Sequence, residues 1–431
     1  MEYGFETGKE YSRWHHLAAY NSDGVLIEFS PWIDPVHIHG MPLEDVYINP
    51  MRENIINKVV LPYSYVQVGP TNSCNLACKG CYSANNRSRD TLKYENIEKV
   101  IYGVYEDIRV KGVSTAMIAF HGPGDPLCNK ETRTTVLKAI RLCSKLGLCT
   151  RITTNATFLD DEYWEQLIAE KSLKLIWVSM KAGTQESYLA YTGRDLFDAS
   201  RHNMDIMVRE RLKSKRHDLV LKSSTEISKY SIYETYYAAE YSKRIGFDIF
   251  KPALHSIDFN KVYTENTILV QQLRENLKNL YDDNFNSLYW EIPQKCSINY
   301  HADKFPAKYC YQAETRLYFD GKGKISPCIH WLDNPNDEYY LGDICLFDKK
   351  YKGFSDESDI NKKNLSCKLK SCAGCSDPWV NYFHDWIRSI LQIDIHANFV
   401  KVFDKDIKKN YSNLLSEDVL EGYDPRSKYY D

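Results

Sequence analysis

The sequence has no apolar run of the eighteen or so residues needed to cross a bilayer, so nothing in it reads as a membrane span. Its first residues, MEYGFETGKEYSRWHH, lack the pattern of a secretory signal, and the expectation is a cytoplasmic protein with no membrane partner. A dense block of lysine and arginine is also missing. The 55 basic and 58 acidic residues are spread along the chain and leave a formal net charge of −3, so no nucleic-acid partner is expected. Internal repeats and low-complexity tracts are absent. What is present is ordinary for a globular chain, with 43% hydrophobic and 26% charged residues. The length of 431 residues suits a barrel-sized catalytic domain with one or two smaller units.

Cysteine is plentiful, at thirteen residues. In a reducing compartment these are not expected to form a disulfide framework, and grouped ones read as metal ligands or reactive thiols. SCNLACKGCYS places Cys74, Cys78 and Cys81 within eleven positions and no fourth beside them. Cys310, Cys328, Cys367, Cys372 and Cys375 form a second group, while Cys128, Cys143, Cys149, Cys296 and Cys345 read as small buried hydrophobes. Structural zinc normally takes four protein ligands, so three leave a coordination position open. An iron–sulfur cluster takes one cysteine per iron corner, and a three-cysteine loop could hold a four-iron cluster with one iron free. Zinc remains the alternative for both groups.

From about residue 61, short apolar runs alternate with helical patterns. YSYVQVG, STAMIAFHG, LCTRITTNA, LKLIWVSMKAG, LVLKSSTEI and FDIFKPALHS read as strands, with helices between them. Six strands separated by helices predict a parallel α/β architecture whose chemistry sits in the loops after the strands' C-terminal ends. The three-cysteine loop follows the first strand, HGPGDP the second, TTNA the third and SMKAG the fourth. Residues 1–60 read as an accessory segment with one strand at VLIEFSPW, a loop at DPVHIHGMPLED and a short helix near RENIINKVV. After residue 256 a single polar amphipathic helix, VYTENTILVQQLRENLKNLYDDNF, and a linker are expected. RLYFDGKGKISPC then reads as a hairpin, and a C-terminal helix and polar tail follow over 386–431.

CNLACKGC has the C-x3-C-x2-C spacing of the radical SAM superfamily, and its place after the first strand of six strengthens the resemblance. The resemblance implies a partial (β/α)6 barrel over 61–256, joined through 257–305 to a Twitch-like auxiliary-cluster domain over 306–385. Cys74, Cys78 and Cys81 would hold a four-iron, four-sulfide cluster whose open iron binds S-adenosylmethionine. Reductive cleavage would release a 5′-deoxyadenosyl radical that abstracts hydrogen from a substrate carbon. Gly80 departs from the family, which usually carries an aromatic residue before the last cysteine.

The other loops resemble cofactor contacts. Gly122 and Gly124 would permit close backbone approach, and Asp125 would stand for the acid that receives the methionine ammonium. Asn155 would meet the ribose, and Ser179 and Lys181 the ribose and carboxylate. Cys310, Gly323 and Cys328, separated by twelve and four residues, resemble the opening of SPASM and Twitch domains. With Cys372 and Cys375 they would hold one auxiliary four-iron cluster, Cys367 being the substitute. An electron donor such as flavodoxin or ferredoxin is implied. The expected substrate is a ribosomally made peptide that is oxidised, crosslinked or epimerised, with a sugar, nucleoside or other small natural-product intermediate as the alternative. For an epimerisation, Cys128 is the candidate hydrogen donor.

Overall fold

The computed structural model describes residues 65–289, with breaks at 82, 84–86, 112–116, 254–258 and 283, together with 4–7, 17–20, 26–28, 292, 316–326 and 342–344. All five cysteines of the second group lie outside the described residues, as do the helix expected near RENIINKVV and the loop DPVHIHGMPLED.

The six expected strands form. They are β4 Tyr65–Val68, β5 Met117–Phe120, β6 Cys149–Thr154, β7 Leu173–Ser179, β8 Val220–Glu226 and β9 Ile249–Ala253, preceded in the chain by β1 Gly4–Thr7, β2 Leu17–Tyr20 and β3 Leu26–Glu28. β4 to β9 pair side by side in chain order, every pair parallel. Parallel pairing needs crossovers, and helices supply them. α1 Tyr94–Lys111, α2 Lys130–Leu146 and α3 Asp161–Ala169 make the first three, α4 Gln185–Thr192 and α5 Phe197–Lys213 the fourth, and α6 Thr235–Ile245 the fifth.

Helix boundaries follow from side-chain chemistry. Asn129 and Asp160 accept the Thr132 and Tyr163 amides and so cap the free N–H groups of α2 and α3. Gly147 ends α2 at φ +71°, where an L side chain would be strained. The apolar faces of the helices close on the sheet. Ile97, Val100 and Ile101 of α1, Val136 and Ile140 of α2, and Trp164 and Leu167 of α3 are fully buried against Val66, Ile118, Ile152 and Ile176.

Three features depart from the expectation. α4 was not expected as a helix. The single helix after residue 256 is two, α7 Phe259–Glu265 and α8 Thr267–Leu280, with Asn266 between them donating back to the Val262 carbonyl at 3.0 Å. The segment beyond α8 returns to the barrel, where the Phe250 amide donates to the Asn286 carbonyl and the Asn286 amide to that of Asp248, both at 2.9 Å. At the other end of the chain, β1, β2 and β3 make a three-stranded antiparallel sheet where one strand was expected.

The expected hairpin is β10 Arg316–Phe319 and β11 Lys324–Ser326. Its turn is organised by Asp320, whose Oδ1 accepts from the Lys322 and Lys324 amides at 2.9 and 2.8 Å. β10 pairs in parallel with β4, Arg316 opposite Tyr65, so the hairpin extends the barrel sheet at its first-strand edge. With β12 Gly342–Asp343 beyond β11, the sheet has nine strands among the described residues.

Candidate active site

The loop after β4 is gripped from several sides. The Gly69 amide donates to the Phe319 carbonyl at 2.7 Å, and Asn72 Oδ1 accepts from the Gly321 amide at 2.8 Å, so the appended hairpin holds the start of the loop. Its far end is held by α4, whose last carbonyls, those of Thr192 and Tyr191, accept the amides of Ala77 and Lys79 at 2.9 and 3.0 Å. Free carbonyls at a helix C-terminus are thereby satisfied by the cysteine loop itself.

Between these grips lie the three thiols. Cys78 is buried with Leu76, Tyr188 and Tyr191, and Cys74 and Cys81 pack against the same cluster. The Leu76 amide donates to Cys74 Sγ at 3.4 Å and Asn155 Nδ2 lies 3.7 Å from the same sulfur. Arg87 donates Nη2 to Cys81 Sγ at 2.9 Å and Nη1 to the Leu76 carbonyl at 3.2 Å. Burial, helped by Asp125, pushes the Cys74 thiol up to about 11. Burial also raises Cys78, against the pull of Lys181.

The ends of the second and third barrel strands carry Gly122, Gly124, Asp125 and Asn155 to this loop. Gly124 packs so tightly that an added Cβ would sit 2.1 Å from the Ser73 carbonyl oxygen, and one at Gly122 would sit 2.6 Å from Gly69 Cα. Asp125 is buried. Its carboxylate accepts from the Leu127 amide at 2.8 Å, the Asn155 amide at 2.6 Å and the Thr154 hydroxyl at 3.0 and 3.1 Å, tying the second loop to the third. Burial raises its pKa, with those hydrogen bonds opposing. Asn155 donates to Asn75 Oδ1 at 2.8 Å and accepts from the Thr157 hydroxyl at 2.7 Å, so its amide spans the cysteine loop and its own turn.

Ser179 ends β7 opposite Ser224 of β8. Lys181, two residues on, has the left-handed φ of +69°, a strained value of the kind found at functional sites. Burial acts against its charge, but Cys78, Glu226, Cys81 and Cys74 more than offset this and hold its pKa above the ordinary lysine value. Cys128 is half-buried beside Asn129. Burial, then Asp125 and Cys74, push its thiol up to about 12 and keep it protonated.

Several site residues were not anticipated. Arg87 lies in the polar stretch after the cysteines and carries no periodic signal. Glu226 is the last residue of β8, and Tyr191 of α4 donates its hydroxyl to that carboxylate. Burial raises the Glu226 pKa. Among the described residues, no three His, Cys, Asp or Glu donors converge as a single bound ion requires. A cluster instead gives each thiolate its own iron. The guanidinium, the lysine and the N–H donors around the sulfurs suit a negatively charged thiolate cluster, which would also remove the cost of burying ionised thiols. The Tyr188 hydroxyl, buried in this same group, has no hydrogen-bond partner. The residues present fit a cluster with an added polar ligand.

No protein-family model matches the chain. An uncharacterized protein of Methanocaldococcus jannaschii is 30% identical over 154 residues, 36% of this chain and 47% of that protein, so the chain matches about half of its relative's length. Among solved structures, Streptococcus suis SuiB bound to S-adenosylmethionine superposes with a TM-score of 0.52 at 17% identity, covering 78% of this chain and 76% of that one. Native anSMEcpe with bound AdoMet gives 0.49 at 16% identity, covering 74% and 87%. The likeness to SuiB shows the fold, a partial (β/α)6 barrel whose sheet continues into an appended hairpin. No helix among the described residues is long and apolar enough to cross a membrane.

Proposed function

We propose that this protein is a radical SAM enzyme that reductively cleaves S-adenosylmethionine and abstracts hydrogen from a carbon of a ribosomally made peptide. The observation that carries the reading is the convergence of the three-thiol loop with the ends of the second, third, fourth and fifth barrel strands. The likeness to SuiB, a structure bound to S-adenosylmethionine, supports the cofactor. Resemblance of the Cys310–Gly323–Cys328 spacing to auxiliary-cluster maturases supports a peptide substrate.

In this reading Cys74, Cys78 and Cys81 hold the first cluster, and Cys310, Cys328, Cys372 and Cys375 a second one, with Cys367 in reserve. When bound, the cluster and S-adenosylmethionine supply the electron and the hydrogen-abstracting radical. The chain's own residues supply placement and charge. Arg87 and the Leu76 amide hold the sulfurs. Gly122 and Gly124 bring the second loop's backbone against the cysteine loop, and Asp125 locks that loop to the third. Asn155 and Ser179 offer polar groups at the mouth, and Lys181 offers a cation for the methionine carboxylate. The protonated Cys128 thiol is the hydrogen donor should the product be an epimer. Electrons come from a partner of the flavodoxin or ferredoxin kind.

The test is metal and acid-labile sulfide content after anaerobic reconstitution, on wild type and on Cys74→Ala/Cys78→Ala/Cys81→Ala. About eight irons falling to about four are expected, together with loss of dithionite-driven 5′-deoxyadenosine formation. Zinc without sulfide would overturn the reading. Turnover of sugar or nucleoside substrates, with none of candidate precursor peptides, would move the substrate to the small-molecule class.

A further inference from the structure

Gly80 stands where the radical SAM resemblance expects an aromatic residue, and a side chain there would displace the Tyr191 hydroxyl and the Glu226 carboxylate. A Cβ on Gly80 would lie 2.7 Å from the Tyr191 hydroxyl and 3.0 Å from a carboxylate oxygen of Glu226. The volume beside the last cysteine is therefore already filled, from α4 and from the end of β8. Tyr191 is only 2% exposed. Its hydroxyl is held by Glu226, its carbonyl takes the Lys79 amide at 3.0 Å, and its ring packs with Cys78 and Leu76. Tyr230 lies 6.2 Å away, ring to ring, and carries the Lys79 ammonium 4.4 Å over its face. The same tyrosine thus touches the Cys78–Cys81 turn through its backbone, its ring and its hydroxyl.

We propose that the aromatic group missing at Gly80 has been moved to Tyr191, which, braced by Glu226, is the positioning residue for the Cys78–Cys81 turn. The inference depends on the radical SAM reading above, because the turn needs such precision only if it fixes a cluster against a second ligand. Loosening the turn then degrades the geometry of the open iron more than the fold, since α4 and the barrel strands keep their own contacts.

The experiment is an aromatic swap, read by equilibrium dialysis of S-adenosylmethionine and by the electron paramagnetic resonance spectrum of the reduced first cluster. Tyr191→Ala is expected to weaken S-adenosylmethionine binding by about tenfold or more and to broaden the cluster signal, while the iron of the second cluster stays. Tyr191→Phe, which keeps the ring, recovers most of the loss. Gly80→Phe alone, forced into the Tyr191–Glu226 volume, is as damaging as Tyr191→Ala. Gly80→Phe/Tyr191→Ala regains affinity and signal relative to either single variant, and this recovery is decisive even if a single variant proves unstable. A double variant no better than the singles, or Tyr191→Ala with wild-type affinity and spectrum, overturns the inference while leaving the radical SAM reading intact. Wild type with no reducible cluster removes both.

Discussion

Among the described residues, Arg87 makes the shortest hydrogen bond to any of the three sulfurs, 2.9 Å to Cys81, and its charge bears on all of them. Hydrogen bonds to cluster sulfurs are one of the means by which a protein sets reduction potential, and a cation beside the thiolates favours the reduced, more negative state. Arg87→Met should therefore lower the midpoint potential of the proposed first cluster and leave the proposed second unchanged, as followed by redox titration of the two signals. An unchanged first potential would mean that the guanidinium serves only the Leu76 carbonyl. His121, at the end of β5, offers a separate handle. Burial, with Arg151 and Lys181 adding to it, pushes its pKa down to about 3, whereas an unfolded histidine takes its proton near 6.5. Between these values the unfolded chain binds more protons, so this contribution to stability is complete above about 6.5 and is lost as pH falls toward 3, at no more than about 1.4 kcal/mol per unit. Urea midpoints at pH 7.5, 6.5 and 5.5 should fall less steeply in His121→Asn than in wild type.

At the scale of elements, the loops owe their precision to tight backbone contact, and glycine substitutions separate that from ordinary strain. Gly124→Ala drives a methyl into the Ser73 carbonyl, 2.1 Å away. The cysteine loop must then move, and iron retained by the first cluster should fall. Gly147→Ala meets nothing within 4 Å but keeps φ at +71°, so it should cost about 1–2 kcal/mol with no loss of iron. Equal iron in the two variants would mean the second loop does not set the first. Legibility in the sequence follows a similar division. Strands buried on both faces betray themselves as short apolar runs, which is why β4 to β9 and the loops after them could be located. α4 could not be. It is only eight residues long, and its buried positions are Ser187, Tyr188, Tyr191 and Thr192, too polar a set to announce a helix. Its caps, Thr184 and Gly193, were in view, but a capped eight-residue stretch reads equally well as a loop. Arg87 and Glu226 were hidden for another reason. Their importance comes from convergence in space, and nothing in their local sequence distinguishes them from solvated charge.

For the whole molecule, the consequential fact is that the appended hairpin and the barrel share one sheet. β10 lies in parallel register against β4, and the hairpin turn donates Gly321 N–H to Asn72 at the root of the cysteine loop. The Cys310 and Cys328 spacing was readable as an auxiliary-cluster motif, and the hairpin between them was expected. Its union with the first barrel strand was not, because pairing between residues some 250 apart leaves no local signal. That union ties the hairpin to the root of the cysteine loop. Leu317, fully buried on β10, should cost about 2–5 kcal/mol when replaced by alanine, and the loss should appear in the barrel's own unfolding. Cys310→Ser/Cys328→Ser, which would empty the proposed second cluster, should likewise lower the urea midpoint of the barrel and slow assembly of the proposed first cluster, although neither residue belongs to it. Calorimetry and iron incorporation on the two variants measure this directly. If the barrel transition and first-cluster assembly stay at wild-type values, the shared sheet is only a point of attachment; if both fall together, the hairpin is a structural part of the first site.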